Sequence, residues 1–166
     1  MSEVTKEFLI KAGLPENCSP FLTFNQQIYY EGIKNIKEEY DLENDDFVNY
    51  YVIGGGDGVS VCVDTEREDQ VVQIDIDHVY TVDMNEDTDY HEEYIPIRFM
   101  NTSIAHLAHC LVAYQNWMEG RSSAPDVQPT ESALHTLATN LLRTDPDCLA
   151  EKSYWWFELE ALKHPC

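Results

Sequence analysis

The spacing of apolar residues changes twice along the chain. Near the start, Phe8-Leu9-Ile10 gives the apolar side of a short helix that Thr5 can cap. Gly13-Leu14-Pro15 stops it: Gly for a left-handed turn, Leu to pack back, Pro to forbid continuation. Residues 17–24 read as a loop or edge segment anchored by Phe21, Leu22 and Phe24, and residues 33–40 as a short helix with Ile33, Ile36 and Tyr40 on one face. From Phe47 the period falls toward two. Residues 47–53 are rich in β-branched and aromatic side chains, and Gly54-Gly55-Gly56-Asp57-Gly58 breaks them. Val59, Val61 and Val63 then alternate with Ser60, Cys62 and Asp64, which predicts a hairpin with a glycine-rich turn. After a polar turn at 65–69, Val72, Ile74 and Ile76 alternate with Gln73, Asp75 and Asp77, so a further strand is predicted to include Asp77. Residues 79–82 continue that strand or start another, 83–93 form a very acidic loop, and 94–100 make the last strand with Ile95, Ile97 and Phe99 on one face.

Helical spacing returns at Asn101-Thr102-Ser103, all good capping residues, with Asn101 assigned a structural capping role. Ile104, Leu107, Ala108, Leu111, Val112 and Met118 form one stripe. A polar linker with two prolines covers 119–129. A helix from Thr130 then carries Ala133, Leu134, Leu137, Ala138, Leu141 and Leu142 on one side, and Asp145-Pro146 ends it. Ser153 opens a last aromatic helix with Tyr154, Trp155, Trp156 and Phe157. Strands clustered together with helices segregated at the ends predict an α+β fold, a largely antiparallel meander between an N-terminal helix and C-terminal helices. The expectation is one domain over 1–166, with an α+β core at 1–118, the linker at 119–129 and a helical part at 130–166.

At 166 residues the chain can bury a substantial core. With 43% hydrophobic and 25% charged residues it excludes collagen-like, disordered and disulfide-scaffold classes. The longest apolar stretches are far too short to span a bilayer, and no basic segment precedes an apolar run, so a cytoplasmic location is expected. Charge changes the picture more. Ten Lys and Arg against 31 Asp and Glu leave −21, which repels phosphate backbones and anionic membranes and favours a basic partner or a multivalent cation. Between Asp57 and Glu93 stand thirteen acidic residues and one basic residue, Arg67, a net of −12. Solubility accounts for such a stretch, and a field of one sign also speeds encounter with a basic partner. Tyr80, Tyr90 and Tyr94 lie within or beside this acid, and Tyr is favoured at interface cores. Five cysteines, an odd number with no CxxC pair, read as free thiols in a reducing compartment.

Specific chemistry is thin. The Gly54–Gly58 run has no following Lys-Ser or Lys-Thr and reads as a turn, not a phosphate loop. Asp83, Asn85 and Asp87 match calcium-loop positions 1, 3 and 5, but Thr88 replaces the required Gly and Tyr94 the required Glu. His106, His109 and Cys110 share a helix sector at metal-capable spacing and read as its solvent-facing or half-buried flank. His78, His91 and His135 read as isolated surface residues. Asp75 and Asp77 would share one strand face, toward water rather than in an acid–base pair.

An ordered set of segments carries a resemblance. Gly13-Leu14-Pro15 follows a short helix, and Tyr51-Val52-Ile53-Gly54 enters a Gly/Asp hairpin. An acidic strand runs from Val72 to Asp77, and Phe99-Met100-Asn101-Thr102-Ser103-Ile104 turns a strand into a helix that ends near Tyr114. Asp145-Pro146, Tyr154-Trp155 and Leu159 match the tail. Over most of its length the chain resembles the SUKH superfamily, most closely its bacterial immunity-protein families. The resemblance implies an α+β fold, no catalysis and no cofactor. It also implies a partner: the effector domain of a polymorphic toxin encoded nearby, often a nuclease or nucleic-acid deaminase, neutralised by stoichiometric binding. The expected partner is therefore a basic toxin domain, with no direct nucleic-acid or membrane contact. Asp57, Asp64, Asp75, Asp77, Asp83, Asp87 and Tyr90 are the expected interface residues. The long acidic insertion at 83–93 and the charged turn at 65–69 depart from the family pattern. Two alternatives stay open: a calcium- or zinc-dependent enzyme, and a regulatory scaffold.

Overall fold

The computed structural model describes residues 1–18, 22–24, 32–43, 45–84, 97–121 and 128–164. Within them the order is α1 (Glu3–Lys11), β1 (Asn17–Cys18), β2 (Leu22–Phe24), α2 (Ile36–Tyr40), β3 (Tyr50–Gly56), β4 (Val59–Asp64), β5 (Gln70–Asp75), α3 (Ile76–Met84), β6 (Ile97–Asn101), α4 (Ile104–Glu119), α5 (Glu131–Thr144) and α6 (Tyr154–Lys163). Among the described residues the six strands form one sheet in chain order, with every neighbouring pair antiparallel. The expected α+β meander is therefore present.

Local chemistry explains most boundaries. Ser2, not Thr5, caps α1: its hydroxyl accepts from the Thr5 N–H at 3.2 Å. The Thr5 hydroxyl instead donates inward to Asp69 at 2.8 Å. Gly13 ends the helix at φ 68°, where both Ala12 and Gly13 N–H groups reach the Phe8 carbonyl. Asn35 and Glu38 make a reciprocal capping box, so α2 starts three residues later than the apolar spacing suggests. Asp57-Gly58 closes the β3–β4 hairpin, with Gly58 at φ 70°. Ser103, and not Asn101, caps α4 by accepting from the His106 N–H.

One element differs in kind. The strand predicted through Asp77, and the segment 79–82 beyond it, are helix α3. The strand stops at Asp75, whose carboxylate accepts the His78 N–H at 3.2 Å in the manner of an N-cap. Ile76 and Val79, three apart, then bury together on one side. Asp83 is thus in a helix, while 85–96 lies outside the described residues, as does most of the predicted linker.

Both faces of the sheet are covered. On one, Ile53, Val61, Val63, Val71 and Met100 pack with Leu107, Leu111, Leu137, Leu141 and Trp155 of the C-terminal helices. On the other, Val52, Cys62, Val72 and Ile74 meet Ile36, Leu42, Phe47, Ile76 and Val79 in a smaller core. Successive strand residues point to opposite faces, and here both are covered, so the residues that alternate with the β4 valines are inside as well: Ser60 is 1% exposed, Cys62 fully buried and Asp64 2% exposed. The α4 stripe is narrower than the sequence suggests. Val112 and Met118 face solvent, whereas Cys110 is fully buried. Leu142 of α5 is likewise exposed.

Two stability outcomes follow. Leu111 is buried at the centre of the larger core and His109 is exposed beside it. Denaturant titration should show Leu111→Ala losing about 2–5 kcal/mol and His109→Ala well under 1 kcal/mol; equal losses would misplace the helix face. Half-buried Glu158 of α6 titrates abnormally: burial pushes its carboxyl from 4.5 up to about 7, against an opposing pull from Arg98. In that window the folded chain holds a proton the unfolded chain has released, so stability falls as pH rises through it. Glu158→Gln should stabilise the protein above pH 7 by thermal melting, and the gain should vanish below pH 4.5.

Candidate functional site

Three of the aspartates expected at an interface meet at one end of the sheet. Asp57 sits in the β3–β4 turn, Asp75 ends β5 opposite Val59, and Asp77 is the second residue of α3. The Ile76 N–H donates to the Gly58 carbonyl at 3.0 Å, tying the strand-to-helix junction to the hairpin tip. A Cβ placed on Gly58 would lie 3.6 Å from Asp77 Oδ2, so that carboxylate lies beside the turn. Asp57 and Asp77 are exposed and Asp75 is half-buried.

Asp75 does two jobs. Its Oδ1 caps α3 and its Oδ2 lies 3.3 Å from His78 Nδ1. The sequence reading leaves His78 as an isolated surface residue; the Asp-x-x-His spacing at a helix start is the signal that joins them. One turn on, Tyr80 is 42% exposed, its ring edge-on to Tyr40 with centroids 6.0 Å apart. The Tyr40 hydroxyl is 2.5 Å from the Ser60 Oγ, so a buried strand residue fixes the wall against which Tyr80 rests.

Asp64 belongs elsewhere. It lies at the far end of β4, about 17 Å along the strand from Val59. Its Oδ1 accepts the Glu66 N–H at 3.0 Å, and its Oδ2 is 3.7 Å from Arg67 Nε. Buried and committed to the 65–69 turn, it presents no surface to a partner, which corrects the expectation for this residue. Asp83 continues along α3, and Asp87 and Tyr90 lie outside the described residues.

A protein-family model, the SUKH-4 immunity protein, matches residues 1–161. The chain belongs to the SUKH-4 immunity protein family. No curated protein and no solved structure matches it.

In this SUKH-4 chain the other candidate chemistry comes apart. His106 Nδ1 is 2.6 Å from Thr102 Oγ1, His109 faces solvent, and Cys110 turns into the core. The three therefore do not share a solvent-facing flank. Among the described residues, no group of three or more His, Cys, Asp or Glu side chains could hold a metal ion. The calcium-loop pattern from Asp83 falls largely outside those residues. The glycine run is strand for its first three residues. A Cβ on Gly54 would come within 2.5 Å of the Thr23 carbonyl oxygen, and one on Gly55 within 2.4 Å of the Val59 oxygen. Close strand packing, not a phosphate cradle, calls for those glycines. No helix among the described residues is long and apolar enough to cross a membrane.

The capping role of Asp75 is testable without a partner. Asp75→Ala should destabilise the protein by about 0.5–2 kcal/mol in denaturant titration, and Asp75→Asn, which can still cap, by much less. Equal losses would assign the effect to charge instead.

Proposed function

We propose that this SUKH-4 protein neutralises its toxin by stoichiometric binding of a basic effector domain, a nuclease or nucleic-acid deaminase, at the sheet end that carries Asp57, Asp75 and Asp77. It acts in the cytoplasm as a binding protein and not as an enzyme. The observation that carries this reading is the junction itself: a hairpin tip with Asp57 is tied to a helix start with Asp77, one turn from an exposed, buttressed tyrosine. A domain that grips nucleic acid must be basic, so an anionic inhibitor can cover that same surface. Asp83, a residue of α3, and Asp87 and Tyr90 from the sequence are further candidates for this contact.

The forces divide by role. An interface of about 1,600 Å² is the standard size, and protection calls for nanomolar affinity or better, near −12 kcal/mol. Exposed carboxylates at its rim mainly set the rate of encounter, whereas a desolvated aromatic anchor sets the rate of escape. Tyr80 is the described candidate for that anchor, and Tyr90 the candidate from sequence.

Kinetic binding to the neighbouring toxin domain across a salt series tests this. Changing Asp57, Asp77 and Asp83 together to Asn should slow association clearly at low salt and hardly at all near 1 M, where the Debye length is about 3 Å. Salt-independent association, unchanged by the triple substitution, would remove the electrostatic mechanism. Failure to bind the domain or rescue cells would remove the neutralisation reading.

A further inference from the structure

The two borders of the sheet are unequal. β1 ends it with two residues and β6 with five, and among the described residues no strand lies beyond either. The irregularity in the β5–β6 register leaves Met100 as the extra residue, and Met100 and Asn101 are both buried. Ile97, Arg98 and Phe99 are the open part of the border: the first two are exposed and the third is half-buried. Every second residue of such an edge turns its N–H and C=O outward, and an extended chain is what pairs with them.

Apolar side chains flank this edge on both faces. Ile97 lies opposite Ile74 and Phe99 opposite Val72, so the two carry rows of the smaller core out to the border of the sheet. There Ile97 is 37% exposed. Arg98, opposite Gln73, turns to the helical face, where its guanidinium lies 4.6 Å from the centre of the Phe157 ring. Phe157 is 38% exposed and stands edge-on to Trp156. The charge of the open segment is thus drawn onto an aromatic ring, instead of guarding the edge as charges on edge strands commonly do.

Two observations choose the occupant. A second copy of this chain would bring −21 against −21, and like fields of that size oppose association. The edge is also continuous with the acidic junction, because Ile74, the partner of Ile97, is followed by Asp75. Two strand spacings make about 10 Å, so a chain laid along β6 passes within reach of the end of β5 that carries Asp75.

We propose that the open edge of β6 receives an extended segment of the basic effector domain as an added strand, apolar where it passes Ile97 and Phe99 and basic at the end beside Asp75. This rests on the neutralisation reading above and supplies its mode of contact. Backbone pairing holds the segment, and the side chains on either face select it. The carboxylates of the junction govern encounter, and the edge governs escape.

Hydrogen–deuterium exchange of the full-length protein, alone and with the neighbouring toxin domain, gives the test. Amides in peptides covering 97–99 should exchange about tenfold more slowly in the complex. Ile97→Lys should speed dissociation about tenfold with association little changed. Val112→Lys, which adds the same charge at an exposed apolar position on α4, should leave both rates as they are. A complex that leaves 97–99 unprotected, or that both lysine variants weaken alike, would overturn the added strand and leave neutralisation standing. No complex at all would overturn both. A dimer of the free protein, seen by analytical ultracentrifugation and dissolved by Ile97→Lys, would give the edge to a second copy and overturn the proposal. The wild-type exchange map decides the matter even where a lysine variant fails to fold.

Discussion

One buried amide holds the molecule's layers together. Asn101, the last residue of β6, is fully buried; its Nδ2 donates to Asp145 Oδ2 at 2.9 Å and its Oδ1 accepts the Trp155 indole N–H at 3.0 Å. Asp145, which follows α5, also accepts the Thr102 N–H at 2.8 Å and the Asp147 N–H at 3.3 Å. A buried carboxylate is costly unless its lone pairs are met, and here three donors meet them. Strand, helix start, helix end and aromatic helix thus depend on one another. An unmet member of such a set costs about 1–3 kcal/mol, and more where it is charged. The network has little tolerance for partial assembly, and this makes the helical layer a unit with the sheet edge.

That hub sets an asymmetry. The three C-terminal helices and α1 all crowd one face, where Trp155, Leu137 and Leu141 are fully buried. Among the described residues, the other face carries α2, α3 and the Phe47 turn. Loops and helix starts on this thinner side therefore emerge at the sheet's end rather than beneath a helical layer. Of the acid-rich stretch, Asp57, Asp75 and Asp77 gather at this end, whereas Asp69 is bonded to Ser2 and Thr5 at the start of α1.

Much of this was legible in the residues. Gly13 at a left-handed helix end, Asp57-Gly58 in a tight turn, and Thr130 and Ser153 as caps each have one inexpensive conformation, and the chain adopts it. The 76–82 segment was not legible, because Ile76 and Val79 with Tyr80 fit both an alternating strand and a helix face. A single hydrogen bond from the His78 N–H to Asp75 decides between them. Burial of Ser60, Cys62 and Asp64 was hidden for a different reason. Alternation implies one wet face only where nothing covers the sheet, and α2 and the Phe47 turn lie too far off in sequence to be matched to it. Asn101 was read correctly as structural but for the wrong bond, since its partners Asp145 and Trp155 are 44 and 54 residues away. The candidate site shows the same limit: Asp57, Asp75 and Asp77 are brought together by strand register, whereas Asp64, nearer Asp57 in sequence, is carried to the opposite end.

The acidity of the chain then separates into two kinds. Asp64, Asp69 and Asp145 are buried, and each is held by N–H or O–H donors that the fold supplies. At Asp69, burial raises the carboxyl's affinity for its proton, yet the bonds from Ser2 and Thr5 outweigh it and keep the group below its usual range. Donors supplied by the fold offset the cost of burying these carboxylates. Exposed Asp57 and Asp77 are of the other kind. A charge at a hairpin tip beside a second charge at a helix start adds repulsion, only part of which favourable placement near the α3 N-terminus offsets. Solubility could be met by acid anywhere on the surface. Acid gathered next to a buttressed, exposed tyrosine has a location as well as a sign, and location is what recognition of a partner needs.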